Sequence, residues 1–190
     1  DMCEQYVAYV MERVNAAQQE TSDTLVLLEQ RLDFSMWVDG GFGTGDVLII
    51  SDGKLEIIDL KYGKGVPVDA YENTQMMLYG LGATQKYDMM YDIIDVTMTI
   101  VQPRLDHVSE WTLDLSDLLA QADDVRKKAA AVLAMKDAAP EAWEYHPGLK
   151  TCKYCKARSS CRALAAACLS AAGVEILEKS KTPRLVAAEI

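Results

Sequence analysis

The chain has no run of apolar residues approaching the ~18 that a membrane span needs, and its opening, DMCEQY, shows no secretory signal. These absences argue for a protein that does not cross a membrane, placed in a reducing cytoplasm. Histidine is nearly absent, with only His107 and His146, so a histidine-rich metal centre in the first half is excluded. Basic residues are in deficit: 19 Lys and Arg stand against 29 Asp and Glu, a net charge of −10. That argues against phosphate binding by the whole surface, although a cleft can be locally basic on an acidic protein. Internal repeats and low-complexity linkers are also missing. The 190 residues, half of them hydrophobic, suit one domain with a real core.

The most informative segment is GTGDVLIISDGKLEIIDLKYGKG, in which Asp46 and Asp59 are separated by 12 residues and Lys61 follows. Residues 47–50 and 55–59 are β-branched apolar runs around Asp52-Gly53, a dipeptide that favours a tight hairpin turn. Folding that hairpin brings the start of one strand beside the end of the next, so two carboxylates and an ammonium meet at one end of a sheet. Two carboxylates at close range repel, and a divalent cation such as Mg²⁺ is their natural partner. A lysine beside it can hold a water nucleophile or stabilise developing negative charge. The bland alternative makes Asp46 and Asp59 turn residues and Lys61 a solvated cap. As a strand-end residue, Lys61 reads as one whose truncation costs little stability.

A helix is expected over residues 71–87, although Gly80 and Gly82 weaken its pattern. Gln75 and Tyr79 lie four apart and share one face of it. They could position a nucleic-acid backbone; equally, Gln75 could be a helix-edge amide and Tyr79 half core. Elsewhere the pattern predicts a helix near the start with Tyr6, Val7, Val10, Met11 and Val14 on one side. Strands are expected over 24–36, 45–50, 54–61, 93–105 and 107–115. A helix over 116–138 would be capped by Ser116, with an apolar side of Leu118, Leu119, Ala122, Val125, Ala129, Val132 and Leu133 and a solvated face at Arg126-Lys127-Lys128. Residues 140–150 read as a loop and 161–172 as an Ala-rich helix. This order predicts an α/β (α+β) fold, a central mixed sheet flanked by helices.

Near the end, Cys152, Cys155 and Cys161 form C-x2-C-x5-C. A Cys152–Cys155 disulfide suits a reducing compartment poorly, and ligation of a soft metal is the better reading. Zn²⁺ and an Fe–S cluster both want four ligands. His146 would serve as the fourth for Zn²⁺. Cys168 reads as a buried helix residue. Lys150, Lys153, Lys156, Arg158 and Arg162 surround these cysteines, with Tyr154 among them. They read either as a phosphate-tracking patch, with Lys153, Lys156 and Arg158 binding substrate, or as cations offsetting thiolate charge.

GxxD…DLK followed by QxxxY resembles the RecB-like branch of the PD-(D/E)XK nuclease superfamily. The wording GGFGTGDVLII…LEIIDLKYGKGVPVDAYENTQMMLYGLGA is similar to an uncharacterised phage and prophage family of exonucleases, themselves similar to lambda-type exonucleases. The resemblance is strong over about residues 25–85 and extends to the cysteine segment. It implies a restriction-endonuclease-like core and a metal-dependent deoxyribonuclease. Asp46, Asp59 and the Leu60 carbonyl would hold Mg²⁺ or Mn²⁺, Lys61 would act on the attacking water, and Gln75 and Tyr79 would sit beside the substrate strand. It further implies a [4Fe–4S] cluster on the cysteines (Zn²⁺ being the alternative) with a fourth thiolate from near the N-terminus, for which Cys3 is the candidate, DNA and phage recombination or replication proteins as partners, and the cytoplasm of a bacterial host. By the same resemblance a helix with a Gly-Thr…His or acidic signature should precede this segment and complete the metal site. Nothing here matches that signature, and Glu29, a substitute for it, reads more simply as a sheet-surface charge. Two other functions compete: a catalytically inactive nuclease fold that binds DNA or assembles, and a zinc-stapled interaction protein.

Overall fold

The computed structural model describes residues 1–136, 138–139 and 142–172. The chain divides into two compact units, residues 1–134 and residues 135 onward.

The first unit is a three-layer α+β arrangement around a five-stranded mixed sheet. Its elements are α1 (Met2–Glu20), β1 (Leu25–Asp33), β2 (Phe42–Ser51), β3 (Lys54–Leu60), α2 (Thr74–Tyr91), β4 (Asp95–Gln102), β5 (His107–Asp114) and α3 (Leu115–Lys136). The strands lie in chain order, antiparallel except for the parallel β3–β4 pair. Antiparallel neighbours need only short turns, and the parallel pair needs a crossover, which α2 supplies. Asp52-Gly53 makes the β2–β3 turn as expected, with Ser51 opposite Lys54 and Gly53 at φ +76°.

Side chains alternate across the strands, so each face builds its own core. Leu48, Ile50, Leu55, Ile57, Val96, Met98 and Ile100 pack with Met76 and Leu81 of α2 and Leu118 of α3. On the other face, Val47, Ile49, Ile58 and Val101 pack with Val10 and Val14 of α1. The two glycines of α2 have a packing reason. A Cβ on Gly80 would stand 3.1 Å from Leu118 and 3.3 Å from Val96; one on Gly82 would stand 3.1 Å from the Asp33 carbonyl. Close approach of helix and sheet offsets the helix propensity they lack.

Several boundaries differ from the sequence reading. The crossover helix starts at Thr74, not residue 71, because Asn73 caps it by accepting from the Gln75 and Met76 N–H groups. Ser116 is the second residue of α3 rather than its cap. β4 stops at Gln102, where Pro103 opens a single 3-10 turn. Val7 and Met11, expected on the inner side of α1, are 56% and 50% exposed; the stripe that packs is Tyr6, Tyr9, Val10, Val14 and Ala17. In α3 only Leu118 and Ala122 are buried.

In the second unit, Arg158–Ser160 is a 3-10 turn and α4 spans Arg162–Ala171. Cys168 is exposed, not buried, because ten helical residues carry no buried position among them. Pro140 and Glu141 of the expected loop, and Asp137 of the expected helix, lie outside the described residues. Among the described residues no helix is long and apolar enough to cross a membrane.

Candidate functional site

β3 ends in Asp59-Leu60, and Lys61 follows, its N–H donating to the Val101 carbonyl at 2.9 Å. That bond continues the β3–β4 pairing by one residue and fixes the direction of the lysine. Its ammonium donates to Gln75 Oε1 at 2.9 Å and lies 2.8 Å from Asp59 Oδ2. Gln75 Nε2 donates to Asp59 Oδ1 at 3.1 Å and to the Tyr79 hydroxyl oxygen at 3.0 Å. Asp59, Lys61, Gln75 and Tyr79 therefore form one network between the end of β3 and the first turns of α2. Asp46 joins from β2: its Oδ2 accepts the Leu60 N–H at 2.7 Å. The residues singled out at 46, 59, 61, 75 and 79 converge.

Two local devices aim these groups. The β1–β2 ladder runs from Leu25↔Ile50 to Leu28↔Val47 and resumes at Gln30↔Gly45, leaving Glu29 and Asp46 out of register pairing. Glu29 is left-handed, with φ +49°, a conformation costing about 1–2 kcal/mol for a residue with a Cβ. The break frees Asp46 from the ladder beside it. The second device is the segment before α2. Gln102, buried at 2% exposure, accepts the Val68 N–H at 2.6 Å and donates to the Val66 carbonyl at 3.3 Å. His107 Nε2 donates to the Val68 carbonyl at 3.1 Å, and Ser109 Oγ accepts the Ala70 N–H at 2.9 Å. These anchors hold residues 66–70 along the ends of β4 and β5 and so set where α2, and with it Gln75, begins. Gly43 leaves room for the Tyr79 ring, since a Cβ there would come within 2.4 Å of it.

Asp59 is 3% exposed. Burial, the largest influence, raises its pKa; the Lys61 ammonium opposes this and the Asp46 charge adds to it. The Lys61 ammonium is the ion-pair partner of Oδ2, which has no other polar partner among the described residues. An acid with a raised folded-state pKa binds its proton more tightly folded than unfolded. Its favourable contribution is present below the unfolded value of 3.8 and is lost as pH rises through the folded one. In EDTA, denaturant midpoints should therefore fall across that window, and Asp59→Asn should flatten the fall; an unchanged profile in the variant would assign the slope elsewhere.

Sequence reasoning missed Tyr6. Its hydroxyl is buried and has no hydrogen-bond partner among the described residues. Its pKa is raised by burial first and then by the carboxylates of Asp46, Asp59 and Glu29. A lone tyrosine in an apolar helical stripe carries no signal that would set it apart.

A hard cation suits the donor set at the sheet end. Asp46 and Asp59 offer two carboxylates there, and the buried Asp59 Oδ2 has the Lys61 ammonium as its one polar neighbour among the described residues. Mg²⁺ is commonly held by one or two carboxylates plus water and phosphate oxygens. Among the described residues no group of three His, Cys, Asp or Glu is close enough to hold an ion. Among the described residues the three cysteines are not gathered into such a group. Cys152, Cys155 and Cys161 are free thiols, and Gly148 N–H donates to Cys152 Sγ at 3.4 Å. His146 lies 3.3 Å from Glu144, and Cys3 is in the first turn of α1. Lys153, Lys156 and Arg158 are exposed.

The protein is of the α+β class, a five-stranded mixed sheet flanked by helices. Residues 1–190 match the family described as Protein of unknown function (DUF2800), and the chain belongs to that family. A solved structure described as "Crystal structure of SSO0001" is similar at 15% identity, over 84% of this chain and 69% of that one, with a TM-score of 0.31, too slight a likeness to bear on fold or site.

Proposed function

We propose that the protein is a metal-dependent deoxyribonuclease of the RecB-like PD-(D/E)XK type, an exonuclease serving phage recombination or replication. The observation that carries the reading is the network in which Lys61 touches both Asp59 and Gln75 while Asp46 caps the Leu60 N–H. Asp46 and Asp59, with the Leu60 carbonyl, would hold Mg²⁺ or Mn²⁺, which when bound supplies Lewis-acid polarisation of a phosphodiester oxygen. Lys61 holds the attacking water by its oxygen and offsets charge that develops on the phosphate. Gln75 holds both partners of the ion pair, accepting from Lys61 and donating to Asp59, and Tyr79 fixes Gln75. Exposed aromatic rings under guanidinium groups flank the same sheet end: Arg31 stands 3.7 Å over Phe42, and Arg104 5.1 Å over Tyr62. Such pairs suit a nucleic-acid strand, offering charge to phosphates and a face to bases. Lys153, Lys156 and Arg158 are further substrate contacts in this reading.

The test is incubation of the protein with linear single- and double-stranded DNA in Mg²⁺ or Mn²⁺, with an EDTA control. EDTA-sensitive release of nucleotides supports the reading; intact DNA under every metal refutes it. One observation favours a second reading, an inactive nuclease fold that binds DNA: the described residues bring no third acid or histidine to the pair. Intact but retarded DNA would select it. A [4Fe–4S] cluster or Zn²⁺ on the three cysteines is a separate proposal, decided by iron, sulfide and zinc analysis of anaerobically purified protein.

A further inference from the structure

We infer that Tyr6 belongs to this site, its hydroxyl donating from α1 to an oxygen atom held between Asp46 and Asp59. The inference rests on the nuclease reading. Its placement follows from the register of α1 along β3. Glu20 pairs with Lys54 at 2.5 Å, and Arg13 makes a forked contact with Glu56 at 2.9 and 3.0 Å. Going from Glu20 to Arg13 along the helix thus moves towards the end of β3. Seven residues further back is about 10 Å at ~1.5 Å per residue. Glu20 to Arg13 spans the two β3 residues from Lys54 to Glu56, so the same step back from Arg13 sets Tyr6 level with Ile58, next to Asp59. Tyr6 packs against the cluster that Val10 and Val14 form with Val47, Ile49, Ile58 and Val101, and its charged neighbours are Asp46, Asp59 and Glu29.

Two buried atoms here lack a hydrogen-bond partner among the described residues: a donor, Tyr6 Oη, and an acceptor, Asp59 Oδ2, whose one polar neighbour is the Lys61 ammonium. Neither satisfies the other. A bare cation would serve the acceptor and leave the hydroxyl unsatisfied, because a phenol proton needs a lone pair. An oxygen bound to a cation serves both, with the cation meeting Asp59 and the oxygen accepting from Tyr6. That oxygen belongs to water or to a phosphate group, and Tyr6 would orient it across from Lys61. Other buried hydroxyls are accounted for: Thr84 donates to the Gly80 carbonyl at 2.8 Å and Thr99 to Glu56 at 3.2 Å.

The test compares the wild-type chain with Tyr6→Phe, which keeps the ring and removes only the hydroxyl. Tyr9→Phe is the control, since Tyr9 packs against the same cluster but has Arg13, Glu56 and Glu110 as its charged neighbours rather than Asp46 and Asp59. Melting temperatures are read in EDTA, in Mn²⁺ alone, and in Mn²⁺ with inorganic phosphate; kcat and KM are read on DNA. In EDTA, Tyr6→Phe should melt at or above the wild type, because an unpaired donor has been removed, and Tyr9→Phe should match the wild type in its ligand shift. Ligand should raise the wild type more than Tyr6→Phe. A deficit already seen with Mn²⁺ alone assigns the oxygen to water, and one needing phosphate assigns it to substrate. kcat should fall about tenfold or more, with KM changed less than about twofold. If Tyr6→Phe melts lower in EDTA, or matches the wild type in ligand shift and kcat while the wild type cleaves DNA, the inference fails and the nuclease reading stands. A wild type that neither shifts with Mn²⁺ nor cleaves overturns both.

Discussion

Lys61→Ala should reduce Mg²⁺- or Mn²⁺-dependent DNA cleavage by at least about 10²–10³-fold, the usual effect of removing a preorganised group aimed at developing charge. The sequence alone suggested that this truncation would cost little stability. The structure changes that expectation, because Lys61 is the counter-charge of a buried carboxylate. Losing it leaves Asp59 unpaired, and the cost should be about 1–3 kcal/mol, with protonation of Asp59 limiting the loss. Folding at assay temperature, checked by circular dichroism, separates the two effects. Cleavage by Lys61→Ala at the wild-type rate would remove the lysine from the mechanism.

Ile57→Ala should be the more damaging change to the fold, lowering unfolding free energy by about 2–5 kcal/mol. Ile57 is fully buried in β3, and its Cδ1 lies 3.7 Å from where a Cβ on Gly80 of α2 would be. It stands between the strand that carries Asp59 and the helix that carries Gln75. A cavity there loosens both, so activity should fall further than the unfolded fraction explains. Urea unfolding with m unchanged and the midpoint lowered is the expected result. A loss below about 1 kcal/mol would show that the helix–sheet seam repacks freely.

What could be read in advance was local. The hairpin was legible because two β-branched runs flank Asp52-Gly53, and pairing adjacent strands leaves Asp46 and Asp59 little choice of place. Gln75 and Tyr79 were legible because four residues is one helical turn. The rest depended on tertiary packing. Nothing in α1 distinguishes Tyr6 from Val7 or Met11 until the sheet decides which stripe is covered. Gln102 looks like a strand-end amide until the segment at 66–68 lies across it. Glu29 showed its charge but not its left-handed backbone, which exists only because the ladder breaks opposite Asp46. Cys168 looked buried because an Ala-rich helix resembles a core helix, yet α4 has no buried residue.

The central claim is that Asp46 and Asp59 together hold one divalent cation, and calorimetric titration of Mn²⁺ into metal-free protein tests it most directly. Asp46→Asn and Asp59→Asn serve as controls. The account predicts one Mn²⁺ per chain at the sheet end, displaced by excess Mg²⁺ and lost in each variant. Any Mn²⁺ held by the cysteine segment should persist in both variants and resist Mg²⁺. Equal Mg²⁺-displaceable binding by the wild type and both variants, or none by the wild type, would contradict it.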